Sequence, residues 1–265
     1  MKGNKLIHVM VVSILFALFT PSAVFSYTVL WDTSHGVADS GQYQPSGYYK
    51  TLAEHLGNNG FTVATTSQGF LLDDPGAFDV AVVCLTSAYY SSYTRDEVAR
   101  IVDFVNNGGG LLVMADQQAA PNANIQPIAS PFGITPDVSN VVNDSPPYYD
   151  VSTQDLAIHP IFDRVREIFV YAAGELDVSA PALPVAWQEQ TKKPIAAVAE
   201  YGQGRVVALG DSSIWSVSGN WDYFNKADNP QFSLNTFTYL AVPEPVTVLL
   251  LGLGSLVLIR KRRSC

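Results

Sequence analysis

Asp79-Val-Ala-Val-Val-Cys-Leu85 and Asn107-Gly-Gly-Gly-Leu-Leu-Val-Met-Ala115, with Thr94 to Asn106 between them, decide the fold. Each apolar run is continuous rather than alternating, the pattern of a strand covered on both faces. Between the runs, Thr94 stands three residues before Glu97, the spacing of a capping box at a helix start. Val98, Ile101, Val102 and Val105 then recur at helical spacing, and the glycines from Gly108 to Gly110 end the helix. Strand, helix and strand in this order make a parallel βαβ unit.

The same grammar extends towards the N-terminus. Tyr27 to Trp31 reads as a first strand ending at Asp32, followed by a polar loop containing glycine. Gly47 to Leu56 reads as a helix, with Tyr48, Leu52 and Leu56 on one face, and Gly57-Asn-Asn-Gly60 ends it. Phe61 to Thr65 is the second strand. Beyond Ala115 the character changes. Residues 117–155 are rich in Pro, Asn, Ser and Asp and read as loop with one short helix. Ile168 to Tyr171 and Val185 to Gln188 read as short strands, and Pro194 to Tyr201 pairs with Arg205 to Leu209 as a hairpin. Asp211 to Ala227 reads as loop, and a closing helix runs from Asn229 to Leu240, with Asn229 as cap and Pro230 in the first turn. The expected architecture is α/β: a three-layer αβα sandwich, flavodoxin-like and mostly parallel, with an antiparallel C-terminal extension.

Three phrases in this order carry a family resemblance: Val29-Leu-Trp-Asp32-Thr-Ser-His35-Gly36, Gly108-Gly-Gly-Leu-Leu-Val-Met-Ala-Asp116, and Gly204-Arg-Val-Val-Ala-Leu-Gly-Asp211-Ser before Asp228-Asn229-Pro230. The chain resembles the class I glutamine amidotransferase-like superfamily, in particular its DUF4350-type, non-catalytic branch. In catalytic members, the resemblance implies, a nucleophilic cysteine follows the strand after the glycine-rich helix end. The matching place is Ala115-Asp116-Gln117, which holds neither Cys nor Ser. Cys84 belongs one strand earlier, and no Gly-x-Ser-x-Gly elbow occurs. A thiol mechanism therefore lacks its first component, so amidotransferase activity is not expected and no residue is assigned a catalytic role.

The chain ends suggest where the protein goes. Residues 1–26 combine basic Lys2 and Lys5, an apolar stretch from Leu6 to Leu18, Pro21 and a small Ser26, the pattern of a secretory signal peptide. A retained N-terminal anchor is the alternative. Residues 242–265 hold Pro243-Glu244-Pro245, an apolar run from Val246 to Ile259, and the basic cluster Arg260, Lys261, Arg262 and Arg263. Basic residues flanking a membrane segment stay cytoplasmic. The arrangement resembles the PEP-CTERM sorting signal of Gram-negative bacteria. That resemblance implies processing by an exosortase after signal peptidase, a transient inner-membrane anchor, and a final place in the envelope or outside the cell.

Residues 27–241 remain as one domain, with nine basic and 23 acidic side chains and a net charge of −14, against −9 for the whole chain. So acidic a surface excludes nucleic-acid binding through a basic patch. Cys84 is the one cysteine in this window, so no internal disulfide staples it. No signature of a cofactor or metal site is present. Ligands of open α/β sheets bind beyond the carboxyl ends of the strands, which makes Asp32, His35, Asp116, Asp211 and Ser212 the candidate ligand-binding residues, with Thr86 and Ser87 beside them. His55 reads as solvent-facing and His159 as a loop residue. The tyrosines of Tyr89-Tyr90-Ser-Ser-Tyr93 and Tyr148-Tyr149, with Trp215, Trp221 and Tyr223, suggest either sugar stacking or cover for core edges. Two functions follow: a non-enzymatic exported module that binds a glycan, such as exopolysaccharide, or another protein, or a polysaccharide hydrolase using Asp and His groups at the carboxyl edge. The second needs a carboxylate pair about 5 to 10 Å apart.

Overall fold

The computed structural model describes residues 26–87, 91–141 and 150–242. The signal-peptide and sorting-signal readings fall on residues 1–25 and 243–265, outside the described residues, as do Tyr89, Tyr90, Tyr148 and Tyr149. Among the described residues, no helix is long and apolar enough to cross a membrane.

The chain runs β1 (Tyr27–Asp32), α1 (Lys50–Asn58), β2 (Phe61–Thr66), β3 (Val80–Val83), α2 (Arg95–Asn106), β4 (Gly110–Met114) and α3 (Ala119–Ala129). There follow β5 (Ile134–Val141), β6 (Asp150–Thr153), β7 (Ile168–Tyr171), β8 (Gly174–Val178), β9 (Leu183–Trp187), β10 (Pro194–Tyr201) and β11 (Gly204–Leu209). Two-residue strands β12 (Val217–Ser218) and β13 (Trp221–Asp222) precede α4 (Asn229–Ala241). Seven strands form the central sheet in the order β2-β1-β3-β4-β11-β10-β9. From β2 to β11 every neighbouring pair is parallel, and β10 and β9 add antiparallel strands at one edge. β5 with β8, β6 with β7, and β12 with β13 form separate antiparallel pairs. The protein is thus a mixed α/β fold with a mainly parallel central sheet and antiparallel strands elsewhere.

The apolar runs behave as continuous apolar strands must. Val80 to Val83 and Leu111 to Met114 are buried, and alternate residues enter opposite hydrophobic clusters. Val82, Leu112 and Met114 join Leu52, Leu56, Phe232 and Phe237 of α1 and α4. Ala81, Val83, Leu111 and Val113 join Ile101 and Val105 of α2 and Ile125 of α3. The capping box of α2 is formed, with Thr94 accepting from the Glu97 backbone N–H at 3.3 Å and Glu97 accepting from the Thr94 N–H at 2.8 Å. Thr94→Ala is expected to lower stability by about 1 kcal/mol, read as an unfolding-midpoint shift in urea.

Several readings are corrected. β11 is not part of an extension, because it lies inside the parallel sheet beside β4, and only its hairpin partner β10 and then β9 turn antiparallel. Residues 117–155 hold the expected helix, the eleven-residue α3, but also strands β5 and β6 where only loop was expected. α1 begins at Lys50 because Gly47 is spent on a turn, its N–H bonding Gln44 O at 2.9 Å. Asn229 is not the cap of α4. It is the first helical residue, fully buried, and its side chain works elsewhere. His55 is half-buried against Phe224, with ring centroids 5.4 Å apart.

The two ends of the sheet are chemically distinct. At the amino end, a Cβ on Gly110 would lie 2.5 Å from Leu240 O, so glycine lets the end of α4 press on the start of β4. Arg205, early in β11, donates from Nη1 to Tyr239 O at 2.9 Å and Val242 O at 2.7 Å. Val242 therefore leaves the domain at the amino edge, opposite the edge where β1, β3, β4 and β11 end in polar residues.

Candidate functional site

At the carboxyl edge, register places Met114 beside Leu209 and Val83 beside Val113. The residues that follow these strands are consequently neighbours: Cys84 after β3, Asp116 after β4, and Asp211 to Ser213 after β11. Three of the five predicted residues, Asp116, Asp211 and Ser212, do come together, all at least 95 % buried. The Ser212 hydroxyl donates to Asp116 Oδ2, and the Gln117 N–H donates to Oδ1 at 2.8 Å. Asp211 accepts from Tyr171 N–H at 2.7 Å and Ser213 N–H at 2.6 Å, which ties the end of β11 to β7.

Tyrosines complete the cluster. Tyr49, at the start of α1, donates to Ser212 O and stands 3.4 Å from Cys84 Sγ. The Tyr43 hydroxyl is 2.9 Å from Ser213 Oγ. Burial pushes the Asp116 carboxyl up to about 6 against the hydrogen bonds from Ser212 and Gln117. Asp211 is raised well above the carboxylate range by burial and then by the charge of Asp116. Burial, with those two carboxyls behind it, pushes the Cys84 thiol up to about 12. A thiol in these surroundings is inert.

Asp32 and His35 form a second group beside the first. Asp32 accepts from Tyr93 OH at 2.5 Å and from Ser34 N–H at 3.0 Å. His35 stacks on Tyr93 at 3.9 Å, with Nδ1 2.8 Å from Ser91 O and Nε2 2.9 Å from Glu97 Oε1. Both ring nitrogens thus face protein acceptors. Burial works against charge on His35, but the bonds to Glu97 and the Ser91 carbonyl outweigh it and raise its pKa. Glu97 is lowered for the converse reason: burial opposes its charge, and the bonds from His35 and Thr94 prevail.

Thr86 is buried beyond β3, and Ser87 O accepts from Asn124 Nδ2 at 3.3 Å. Among the described residues, no group of three or more His, Cys, Asp or Glu side chains could hold a metal ion. His159 stands before the 3-10 turn Pro160–Phe162, its Nδ1 accepting from Ile161 N–H at 3.4 Å.

Two of the aromatic residues weighed between sugar stacking and core cover are interior. Trp215 is fully buried against Phe232 and Phe237, and Tyr93 is buried on Asp32. Half-exposed Tyr48, Trp221 and Tyr171 do remain next to the acid cluster, linked through the buried ring of Tyr223. Tyr48 meets Trp221 at 5.2 Å, Trp221 meets Tyr223 at 6.2 Å, and Tyr223 meets Tyr171 at 4.9 Å. Tyr171 also carries the N–H that bonds Asp211, so this band adjoins the cluster directly. Sequence reasoning missed Tyr43, Tyr49, Tyr48 and Tyr171. They come from helix starts, loops and a separate strand pair, and only Tyr48 had been given a role, as part of a helical stripe.

Solved structures of low sequence identity share the fold. The mmIFT52 N-terminal domain superposes with a TM-score of 0.67 at 16 % identity, covering 81 % of this chain and 97 % of its own. Cytoplasmic protein STM3548 from Salmonella typhimurium gives 0.59 at 17 % identity, covering 81 % and 99 %. A putative ThuA-like protein from Parabacteroides merdae gives 0.53 at 13 %, covering 82 % and 91 %. At such identities the likeness concerns fold alone. No curated protein matches the chain in sequence. One domain family does match: residues 42–219 fit the domain of unknown function DUF4350, and the chain belongs to that family.

Proposed function

We propose that this is an exported envelope or exopolysaccharide-associated protein whose domain binds a glycan and carries out no chemistry. On this reading the frame is a flavodoxin-like three-layer sandwich of the amidotransferase-like superfamily, from which the nucleophile has been lost. The observation that carries the non-catalytic reading is Cys84. It is buried, its thiol is pushed up to about 12, and it faces Tyr49 and two carboxyls rather than an activating histidine. Position 116, where a nucleophile belongs in catalytic relatives, is an aspartate bonded to Ser212 and Gln117. The ligand surface we assign is the band of Tyr48, Trp221 and Tyr171, since aromatic faces bury the apolar faces of sugar rings.

Export rests on the signal-peptide pattern of residues 1–26 and on Pro243, Glu244 and Pro245 ahead of an apolar run and the Arg260 to Arg263 cluster. Signal peptidase and an exosortase would be the processing partners. Retention of the purified protein on the host's own exopolysaccharide tests the binding claim, and Trp221→Ala is expected to weaken it about tenfold. Equal retention of wild type and variant rejects the band as the ligand surface, and no retention by wild type rejects glycan binding. A reporter fused after Ala241 that stays cytoplasmic rejects export.

A polysaccharide hydrolase is the second reading. The observation favouring it is Asp116, whose carboxyl burial raises to about 6 beside a second raised carboxyl, Asp211, since a carboxyl that keeps its proton nearer neutrality can serve as a general acid. Glycan cleavage abolished by Asp116→Asn is its test.

A further inference from the structure

The ring of His35 sits between two acceptors. Nδ1 faces the Ser91 carbonyl at 2.8 Å and Nε2 faces the Glu97 carboxylate at 2.9 Å. Neither a carbonyl nor a carboxylate donates, so only a ring bearing both protons satisfies both contacts. A neutral imidazole must give up one of them. The ring is sandwiched further by Tyr93, stacked at 3.9 Å, whose hydroxyl is fixed on Asp32. The groups facing the ring are therefore Glu97 from α2, Asp32 from β1, and Tyr93 from the segment before α2.

These partners join parts of the chain that diverge. β1 pairs with β2 on one side and β3 on the other, so connections leave the β1–β3 boundary in opposite directions. Residues 33–36 follow β1, whereas Ser91 to Glu97 follow β3 and start α2. Such a boundary is where ligands enter open α/β sheets. Glu97 is 8 % exposed and simultaneously caps α2 through Thr94, so its second oxygen cannot turn to water to replace a lost histidine proton.

We propose that His35 is a pH-sensitive clasp tying residues 33–36 to the start of α2 across the β1–β3 boundary, closed when the ring carries both protons and loosened when it loses one. The clasp stands apart from any glycan reading. Its sense follows from linkage: a histidine whose affinity for protons is raised by folding contributes its full stabilisation at low pH and loses it as pH rises through the folded-state value. Acidic surroundings hold the edge shut, and neutral to alkaline ones relax it.

The test uses the full-length chain, with the ring of His35 followed by NMR across pH and assigned by its disappearance in His35→Gln. In parallel, amide exchange is measured at Thr33, Ser34 and Gly36, all hydrogen-bonded donors, and corrected for intrinsic rates. The ring is expected to titrate above 6.5, and protection of those amides to fall about tenfold through the same midpoint, the size of one charge-assisted bond. Glu97→Gln should lower the midpoint, and His35→Gln should show the loosened protection at every pH. A ring that titrates at or below 6.5 overturns the proposal, as does protection that stays constant while the ring titrates.

Discussion

Asn229→Ala is expected to destabilise the domain by about 3–5 kcal/mol, a fall of roughly 10 °C in melting temperature for a chain of this size. The side chain is fully buried and makes four bonds to backbone from two separate regions. Oδ1 accepts from Phe169 N–H at 3.0 Å, while Nδ2 stands 2.9 Å from the carbonyls of Phe169, Ile214 and Tyr223. One amide thus fastens β7 and the segment after β11 to the start of α4. Alanine removes the amide but leaves an N–H and three carbonyls without their partner, and it is the desolvation of those orphans that sets the size of the loss. Asn229→Asp should be worse, because a second carboxyl oxygen would face three carbonyl oxygens. Thermal unfolding of the variants against wild type reads both. A melting temperature for Asn229→Ala within about 3 °C of wild type would remove this residue from the account.

The same residue shows where sequence reading stopped. Asn before Pro at the start of an apolar helix is a capping signal by local rules, and the helix was found. What the asparagine does depends on Phe169, sixty positions away, which no local pattern reveals. The parallel half was legible because its inner strands are apolar on both faces, α2 begins with a capping box, and both α1 and α2 end at glycine-rich turns. α3 was foreseen only as one short helix without bounds, since Pro121, Asn122, Asn124 and Pro127 all argue against a helix, and it holds because its own Ile125 and Ile128 are buried. β5 contains Pro136 and owes its existence to pairing with β8 some forty residues on. For the site, the rule that polar residues gather at the carboxyl ends of strands found Asp116, Asp211 and Ser212. It placed Asp32 and His35 with them, and the structure sets these two in a neighbouring group, with the ring of His35 facing Ser91 and Glu97. Glu97 had been read only as a cap, and it serves cap and clasp at once.

Asp116→Asn is expected to remove most of the pH dependence that the acid cluster gives the domain. Folding raises the Asp116 carboxyl from 3.8 to about 6. The folded state therefore holds a proton that the unfolded state has released, and stability declines as pH rises from about 4 to 6, levelling off above that. A shift of this size corresponds to roughly 2–3 kcal/mol at neutral pH. Asp211, raised by burial and by Asp116 itself, pulls in the same direction, so the two carboxyls titrate as a pair. An amide at position 116 carries no charge to bury. It keeps the Gln117 N–H as donor to its oxygen, and it can donate to the Ser212 hydroxyl, which reverses its role. The contact it loses is the Ser212 N–H, which also points at the carboxyl, at a cost of about 1 kcal/mol. The variant should accordingly be somewhat less stable than wild type at pH 4 and more stable at pH 8, with the curves crossing between about pH 4 and 5. Removing the Asp116 charge also lets Asp211 ionise more easily, which flattens the remaining slope. Urea midpoints across this range decide the matter: parallel curves for the two proteins would mean that Asp116 is already ionised when folded, and that the cluster is held by hydrogen bonds strong enough to offset its burial.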